Sequence, residues 1–293
     1  MTNTCIVLGL DQPEGPAFRS DGQLLFVEMG DDRVCVSSVV DGKRREVVRP
    51  GGRPTGLAVD GDDCLWVAGG SGNSLVKLSP DGRELLRIAG DDQGSFLFPN
   101  DLAFGPDGLL YMTDSGMLPH EFITGLSIRP DFFTADYAGS VFQIDPRQGR
   151  VLARIDQGLR FTNGIAFGPD GGLFVAETLS GWIFRYALDG RAQREPFSQT
   201  LTSVNNVRFR GPDGMAFDAD GLLYCALYGC GEISVSATDG SIVQRLPSNG
   251  ALPTNLAFVP GESAIVVTEV ENGALERIPV GAEGLALHQP TWV

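Results

Sequence analysis

An internal repeat is the feature of this chain that most constrains its fold. Six segments share one pattern with an alanine at the same place: Ala17, Ala58, Ala103, Ala166, Ala216 and Ala257. In the third segment, NDLAFGPDGLLYMTD from Asn100, an apolar run meets a turn at Asp107-Gly108 and a second apolar run follows. This pattern is typical of a β-hairpin, because glycine readily adopts the positive φ that a tight turn requires.

A second hairpin follows the first in most units. Its turn is an Asp-Gly pair in four units, at Asp41-Gly42, Asp81-Gly82, Asp189-Gly190 and Asp239-Gly240. Four strands in a repeat of about 40 to 50 residues are typical of one blade of a β-propeller. We therefore predict an all-β fold, a six-bladed β-propeller of four-stranded antiparallel blades, in a single domain over residues 1–293.

The last unit indicates how the ring of blades closes. Residues 273–280 provide its third strand, and either residues 5–10 or residues 285–290 provide the outermost one. We favour the N-terminal segment, because a strand borrowed from the start of the chain joins the first blade to the last and protects an open sheet edge.

The third unit carries an insertion. Ala103 and Ala166 are 63 residues apart, whereas the other neighbouring alanines are 41 to 50 residues apart. The extra residues lie near 115–137 and include Phe122, Phe132 and Phe133, which make the segment too apolar for an ordinary linker. We interpret the insertion as a lid or pocket wall, with structural elaboration of the blade as the alternative.

Charge and composition argue against several classes of protein. The net charge of -15, from 22 basic and 37 acidic residues, opposes a nucleic-acid partner, because phosphate binding depends on Lys and Arg. No apolar run approaches the ~18 residues that span a bilayer, and the first residues lack the pattern of a secretion signal. The five cysteines show no CxxC spacing and favour reduced thiols. We expect a cytoplasmic protein with a small-molecule substrate and without a membrane or nucleic-acid partner; its oligomeric state is left open.

Side-chain oxygens occupy one equivalent position in all six units, three residues before the alanine: Glu14, Thr55, Asn100, Asn163, Asp213 and Thr254. The innermost strand of a blade lines the central channel, so we expect these residues to form a ring around the axis. Two carboxylates and two amides without histidine or cysteine suit a hard cation. We predict calcium, with another divalent cation as the alternative, because calcium accepts several oxygens in irregular geometry. Turn capping is the competing explanation for each residue alone, and the two threonines fit either role.

The other acids near the channel fall into three groups. The acids that precede glycine in the first hairpin turns are assigned to those turns: Asp21, Asp107, Asp170 and Asp220. Glu28, Asp114 and Glu177 end the second strands, where they either approach the outer shell of a metal or remain solvated. Asp101 follows the ring residue Asn100 where most units have glycine, which makes it a candidate for proton transfer beside the metal.

The motifs around the ring resemble those of the senescence marker protein, gluconolactonase and luciferin-regenerating enzyme superfamily, whose members are calcium-dependent six-bladed propellers. The resemblance covers essentially the whole chain and rests on Glu14-Gly15-Pro16, Pro99-Asn100-Asp101, TNGIA from Thr162 and GPDGMA from Gly211. It implies that Glu14, Asn163 and Asp213 hold a catalytic calcium, with Asn100 as a fourth ligand or a substrate contact. It also implies that Asp213 is a general base or nucleophile and that Asp101 lies beside the channel.

The resemblance implies a metal-dependent lactonase or esterase, and one departure from the family bears on its substrate. Sugar-lactone members carry an arginine two residues before the Asn-Asp pair, whereas this chain has Phe98. Because the insertion is also aromatic, we expect a lactone or ester more apolar than a sugar lactone. The expected substrate pocket comprises Thr55, Phe98, Asp114, His120, Phe122 and Thr254. The alternatives are a calcium-dependent lyase or isomerase, and a non-catalytic interaction propeller whose calcium is structural.

Overall fold

The structure is a computed structural model and describes residues 3–38, 42–188, 193–203 and 207–292. Within these residues the chain forms six four-stranded antiparallel sheets, which confirms the predicted six-bladed propeller. Of the predicted second-hairpin turns, Asp81-Gly82 and Asp239-Gly240 lie between the third and fourth strands of their blades. Asp41 and the pair Asp189-Gly190 lie outside the described residues.

The blades follow one another along the chain, and the strands of each sheet are named in order from the channel outward. The first strand of the chain, β1 (Thr4–Leu8), belongs to the last blade. Blade 1 contains β2 (Pro13–Phe18), β3 (Leu24–Glu28), β4 (Arg33–Ser37) and β5 (Arg44–Val48). Blade 2 contains β6 (Leu57–Val59), β7 (Leu65–Gly70), β8 (Ser74–Leu78) and β9 (Glu84–Ile88). A short ribbon of β10 (Gly90–Asp91) and β11 (Gly94–Ser95) leads to the third blade.

The remaining blades keep the same order. Blade 3 contains β12 (Pro99–Phe104), β13 (Leu110–Asp114), β16 (Gly139–Asp145) and β17 (Arg150–Leu159). Blade 4 contains β18 (Thr162–Phe167), β19 (Leu173–Glu177), β20 (Trp182–Tyr186) and β21 (Arg194–Gln199). Blade 5 contains β22 (Gly211–Phe217), β23 (Leu223–Tyr228), β24 (Glu232–Ser236) and β25 (Ile242–Pro247). Blade 6 contains β26 (Pro253–Phe258), β27 (Ala264–Glu269), β28 (Ala274–Pro279) and β1.

The ring closes through the N-terminal strand, as predicted. β1 pairs antiparallel with β28, and Thr4 lies opposite Arg277 while Leu8 lies opposite Ala274. The closed ring leaves only short, protected strand edges, and the borrowed strand links the start of the chain to the last blade.

Apolar clusters between neighbouring blades hold the ring together. Successive side chains of a strand point to opposite faces of its sheet, so each middle strand packs in two directions. In β3, Leu25 and Val27 pack with Val67 of blade 2, whereas Phe26 packs with Val266 of blade 6, and all five side chains are fully buried. Burial of each such side chain contributes roughly 1.5–3 kcal/mol.

The insertion lies between β13 and β16 of blade 3. It contains the short helix α1 (Pro119–Phe122) and a ribbon of β14 (Ile123–Thr124) and β15 (Ser127–Ile128).

No helix in the described ranges is long and apolar enough to cross a membrane.

Residues 281–292 cross the end of the channel at which the inner strands finish. The backbone N–H of Leu285 donates to the carbonyl oxygen of Phe217, the last residue of β22, at 2.9 Å. The Trp292 ring packs against Phe104, the last residue of β12, with 5.8 Å between centroids. Because the tail covers this end, the channel is approached from the opposite end, where the inner strands begin.

Candidate active site

A bulge at the start of the inner strands directs the predicted ring residues toward the axis. The pairing of β2 with β3 shifts between Glu14 and Ala17, and β12, β18 and β22 shift at the equivalent place. A bulge bends the strand and changes the direction of its side chains. The four predicted metal ligands are all buried, with 4% to 9% of each residue exposed: Glu14, Asn100, Asn163 and Asp213.

Three buried carboxylates from alternate blades interact in the channel. Burial raises the pKa of Glu14 to about 8, and the charge of Asp101 adds to the increase. Burial also raises the pKa of Asp101 to about 6. Burial and the charges of Glu14 and Asp101 hold the pKa of Asp213 well above its ordinary value. In the described part of the chain, none of the three forms an ion pair with Lys or Arg. Uncompensated charge of this kind is unfavourable unless a cation or protons neutralise it.

Hydroxyl groups orient the two ring asparagines. Asn100 Nδ2 donates to Ser115 Oγ at 2.9 Å, and that hydroxyl donates to the carbonyl oxygen of Thr162 at 2.9 Å. Asn163 Nδ2 donates to Thr178 Oγ1 at 3.1 Å, and that hydroxyl donates to the backbone of blade 5. A hydroxyl has one hydrogen, so a hydroxyl that donates to a carbonyl must accept from the amide nitrogen. The oxygen of each amide therefore remains for the channel.

Asp101 makes a contact across the axis. Its Oδ2 accepts from the backbone N–H of Ile165 at 3.3 Å and lies 3.5 Å from Asn255 Nδ2, in the opposite blade. Asp101 and Asn255 occupy the position after the ring residue, and the other four units have glycine there. Two of these glycines show why a side chain is excluded. A methyl group on Gly56 would lie 2.6 Å from Asp101 Cα, and one on Gly214 would overlap the Asn255 side chain. Asn255 was not predicted, although the departure from glycine that distinguishes Asp101 distinguishes it as well.

The two ring threonines connect neighbouring blades. Thr55 Oγ1 donates to the carbonyl oxygen of Pro99 at 2.8 Å, and Thr254 Oγ1 donates to that of Pro13 at 3.0 Å. Both side chains are buried. Their hydrogens are thus committed to the backbone, and contact with a substrate would use the hydroxyl oxygens.

The acids at the ends of the second strands hold the loops that lead into the inner strands. Asp114 accepts from the backbone N–H groups of Leu97 and Phe98 at 2.8 and 3.0 Å. Glu28 and Glu177 accept from the equivalent loops of blades 1 and 4. Asp114 thus holds the backbone of Phe98 in position. Asp114, expected to line the substrate pocket, therefore lies beneath the loop that carries Phe98.

Aromatic side chains form one side of the channel mouth. The Phe161 ring lies 6.4 Å from that of Phe98 and 4.5 Å from that of Phe122, which α1 of the insertion supplies. Phe209 lies 5.0 Å from Phe161 and is half-buried, so it presents part of its face to solvent. His120, also on α1, is exposed. The aromatic cluster gives this side of the mouth an apolar character.

The residues of the ring fit a hard divalent cation. Within the described residues, no group of three or more His, Cys, Asp or Glu side chains could hold a metal ion. A cation at the ring would therefore depend on the amide oxygens of Asn100 and Asn163 together with Glu14 and Asp213. This mixed oxygen set, with two negative charges, suits calcium, which accepts carboxylate and amide oxygens in flexible geometry.

The chain is similar to known proteins over most of its length. A family model described as "SMP-30/Gluconolactonase/LRE-like region" matches residues 12–270. A gluconolactonase from Zymomonas mobilis is 31% identical over 219 residues, a match that covers 69% of this chain and 57% of the relative. The diisopropyl-fluorophosphatase of Loligo vulgaris is 26% identical over 283 residues, covering 89% of this chain and 87% of the relative.

A solved structure shows the same fold. It is a gluconolactonase from Xanthomonas campestris, with a TM-score of 0.78 and 23% identity. The superposition covers 95% of this chain and 89% of that one.

Proposed function

Because the chain belongs to the SMP-30/gluconolactonase/LRE-like family, we propose that it is a calcium-dependent hydrolase that opens a lactone or a related ester. The observation that carries the proposal is the set of three buried carboxylates in the channel, Glu14, Asp101 and Asp213, which repel one another and form no ion pair with a Lys or Arg of the described residues. The gluconolactonase relative, 31% identical, supports lactones as the substrate class.

The proposed calcium ligands are Glu14, Asn100, Asn163 and Asp213. When bound, calcium would polarise the substrate carbonyl and stabilise the negative charge that develops on its oxygen. Ser115 and Thr178 hold the amide oxygens in place for this role. The protein thus supplies a preorganised set of oxygens, and four side-chain ligands leave room for a substrate oxygen or water.

Asp213 and Asp101 are the proposed catalytic residues. Asp213 either accepts a proton from the attacking water or attacks the carbonyl carbon itself, and Asp101 accepts or returns a proton. The contacts of Asp101 with Ile165 and Asn255 hold its carboxylate at the axis. A carboxyl group with a pKa of about 6 changes its protonation near neutral pH, which suits proton transfer.

The aromatic side of the mouth supports a substrate more apolar than a sugar lactone. Phe98 occupies the place two residues before the Asn-Asp pair, and Phe161 occupies the same place in the next blade. Neither side chain offers a hydrogen bond to a sugar hydroxyl, whereas both would pack against an alkyl or aryl group.

A panel of lactones and esters, assayed with calcium and with a chelator, tests the proposal. We expect aryl- and alkyl-substituted lactones to be hydrolysed with calcium, better than gluconolactone, and no turnover after chelation. Failure of every lactone and ester with calcium bound would refute the hydrolase and favour a structural calcium.

Heavy-oxygen water separates the remaining routes. Over many turnovers, hydrolysis by either route must place the label in the product, whereas a lyase or isomerase would leave the product unlabelled. In a single turnover, attack by Asp213 would transfer its own unlabelled oxygen to the product, whereas base catalysis would place the label there directly.

A further inference from the structure

Arg53 lies at the channel mouth and has unused hydrogen-bonding capacity. It precedes the ring residue Thr55 by two positions, as Phe98 and Phe161 precede theirs, so it lies in the layer above the ring. Its Nη2 donates to Gln12 Oε1, but its buried Nε has no hydrogen-bond partner in the described residues. Nε is enclosed by the protein, whereas Nη1 forms no hydrogen bond in the described residues, so the terminal nitrogens are the donors that a ligand can reach.

No carboxylate of the described residues lies within ion-pair distance of Arg53. Burial lowers the pKa of Arg53, and the more distant charge of Asp11 opposes the decrease. The guanidinium is still far more basic than neutral pH, so it remains a cation that lacks a close anion.

Tyr228 faces Arg53 from the opposite side of the mouth. Arg53 belongs to blade 2 and Tyr228 ends β23 of blade 5, and blades 2 and 5 are opposite in a ring of six. Burial raises the pKa of Tyr228 to about 12; the charge of Asp213 contributes to the increase and that of Arg53 opposes it. The Tyr228 hydroxyl forms no hydrogen bond within the described ranges of the chain.

The polar pair adjoins the aromatic cluster. The Tyr228 ring lies 5.7 Å from that of Phe209, and Phe209 packs on Phe161. A molecule at the mouth would therefore meet the aromatic surface and the Tyr228 hydroxyl on one side and the Arg53 guanidinium on the other.

We propose that Arg53 and Tyr228 bind a carboxylate of the substrate, so that the preferred substrate is a lactone or ester with both a carboxylate and an apolar group. The inference rests on the proposed hydrolysis at the ring. A planar carboxylate accepts two hydrogen bonds from one edge of a guanidinium and leaves a lone pair for a phenol. A phosphate dianion fits less well, because one arginine would have to balance it beside three carboxylates.

Matched substrates with and without the charge test the inference. Phenylparaconate is a γ-butyrolactone that carries a phenyl group and a carboxylate, and its methyl ester replaces the charged group with a neutral one; opening of the lactone ring is measured for both. We expect the calcium-loaded wild type to prefer the acid. In Arg53→Met, kcat/KM for the acid should fall about 10- to 100-fold, the loss expected for a charge-assisted hydrogen bond, while that for the ester changes less than about 3-fold.

Three further variants make the comparison specific. Arg53→Lys keeps the charge without the planar fork and should recover part of the loss. Tyr228→Phe should reduce kcat/KM for the acid alone, by about 5-fold or more. Arg49→Met removes an exposed arginine that pairs with Glu46 and controls for net charge; its kinetics should match the wild type. Equal losses on acid and ester in Arg53→Met would overturn the carboxylate role.

Binding of a non-hydrolysable probe separates this inference from the proposed function. The γ-lactam analogue of phenylparaconate keeps the phenyl and carboxylate groups, and calorimetry measures its affinity for wild type and Arg53→Met with calcium present. Weaker binding to folded Arg53→Met, without hydrolysis of any lactone or ester of the panel by wild type, would support the carboxylate site and refute the hydrolase. Hydrolysis of both lactones, together with lactam binding that is equal in wild type and Arg53→Met, would support the hydrolase and refute the carboxylate site. Absence of lactam binding to wild type would also overturn the carboxylate site.

Discussion

Asp213 shares the channel with two other acids, and its surroundings at the scale of single residues decide its protonation. The charges of Glu14 and Asp101 raise its pKa, whereas the side chain of Asn163 and the backbone N–H of Gly214 lower it. A cation bound among these oxygens would favour the ionised form, because it replaces repulsion by attraction. Metal binding and proton binding at the ring therefore compete.

Asp213→Asn should retain most of the fold but lose catalysis. The amide keeps the shape of the side chain and one oxygen, but it can neither accept a proton nor attack the carbonyl. We expect kcat to fall by about 10²- to 10⁴-fold, measured at saturating calcium. Asp220→Asn, in a hairpin turn of the same blade, is the control and should remain active. Full activity of Asp213→Asn with calcium bound would remove Asp213 from the catalytic role.

Stabilisation by calcium should grow as the pH rises. In the metal-free protein, Glu14 titrates at about 8 instead of 4.5 and Asp101 at about 6 instead of 3.8. Raised pKa values favour the folded state at low pH, and this contribution is lost between about pH 4 and 8. Calcium must displace the same protons, so the increase in melting temperature on adding calcium should be larger at about pH 8 than at pH 5.5. Glu14→Gln should show a smaller pH dependence; an unchanged one would exclude Glu14 from the linkage.

Thr178→Val should weaken calcium binding without removing a ligand. The substitution keeps the volume of the side chain but removes the hydroxyl that accepts from Asn163 and donates to Pro212. Loss of a group that orients a ligand typically weakens metal affinity about 10- to 100-fold. Calorimetric titration with calcium measures the effect, and Thr178→Ser, which retains the hydroxyl, should bind almost as the wild type does. Equal affinities of the valine and serine variants would contradict the orienting role.

At the scale of elements, each blade uses its first two strands for the site and its outer strands for support. In blades 1, 3 and 4 the inner strand carries the ring residue at its bulge, and an acid at the end of the second strand accepts from the loop before that bulge. In blade 6 this acid is Glu269, which accepts from the backbone N–H of Leu252 at 3.0 Å. The repeat thus places one functional residue and one supporting acid at the same depth in several blades.

Phe122→Ala tests the contribution of the insertion. The Phe122 ring is 4% exposed and packs on Phe161 and Phe209, so its removal leaves a cavity beside the mouth. We expect a loss of about 3 kcal/mol in the free energy of unfolding, measured with denaturant, and a lower kcat/KM for aryl lactones. Leu126→Ala, on the same insertion but 64% exposed, is the control. A loss of stability with unchanged kinetics would favour structural elaboration over a pocket wall.

At the scale of the whole molecule, two segments distant in sequence close the propeller. β1 completes blade 6, and residues 281–292 cross the closed end of the channel. The Trp292 ring packs against Trp66 at 6.3 Å and lies 4.7 Å from Lys77 Nζ. The tail therefore joins blades at the end of the channel remote from the ring residues.

Trp292→Ala should lower stability but leave catalysis intact. Loss of these aromatic contacts should reduce the free energy of unfolding by about 2 to 3 kcal/mol. Leu287→Ala, in the same tail but 74% exposed, should change it by less than about 0.5 kcal/mol. Calcium affinity and kcat should match the wild type, because the tail lies at the other end of the channel. A large decrease in calcium affinity would show that the tail also supports the ring.

The number of blades and their strands could be predicted from the sequence because the signals are local. The alternation of apolar runs with Asp-Gly turns depends on neighbouring residues, and its repetition indicates the propeller directly. Ring closure by residues near the N-terminus also followed from counting strands, and β1 confirms it. The candidate ring, including Glu14 and Asp213, came from comparing equivalent positions, and its role in binding calcium remains a prediction.

The sequence by itself thus determined the blade, the ring and the positions that depart from the repeat. Only the tertiary structure decided which groups meet across the channel. Asp101 and Asn255 are 154 residues apart and touch because blades 3 and 6 are opposite. Arg53 and Tyr228 likewise belong to opposite blades, 2 and 5, although nothing near either residue in the chain indicates it. The physical cause is that local backbone preferences build each blade, whereas contacts across the axis exist only after all the blades have closed into a ring.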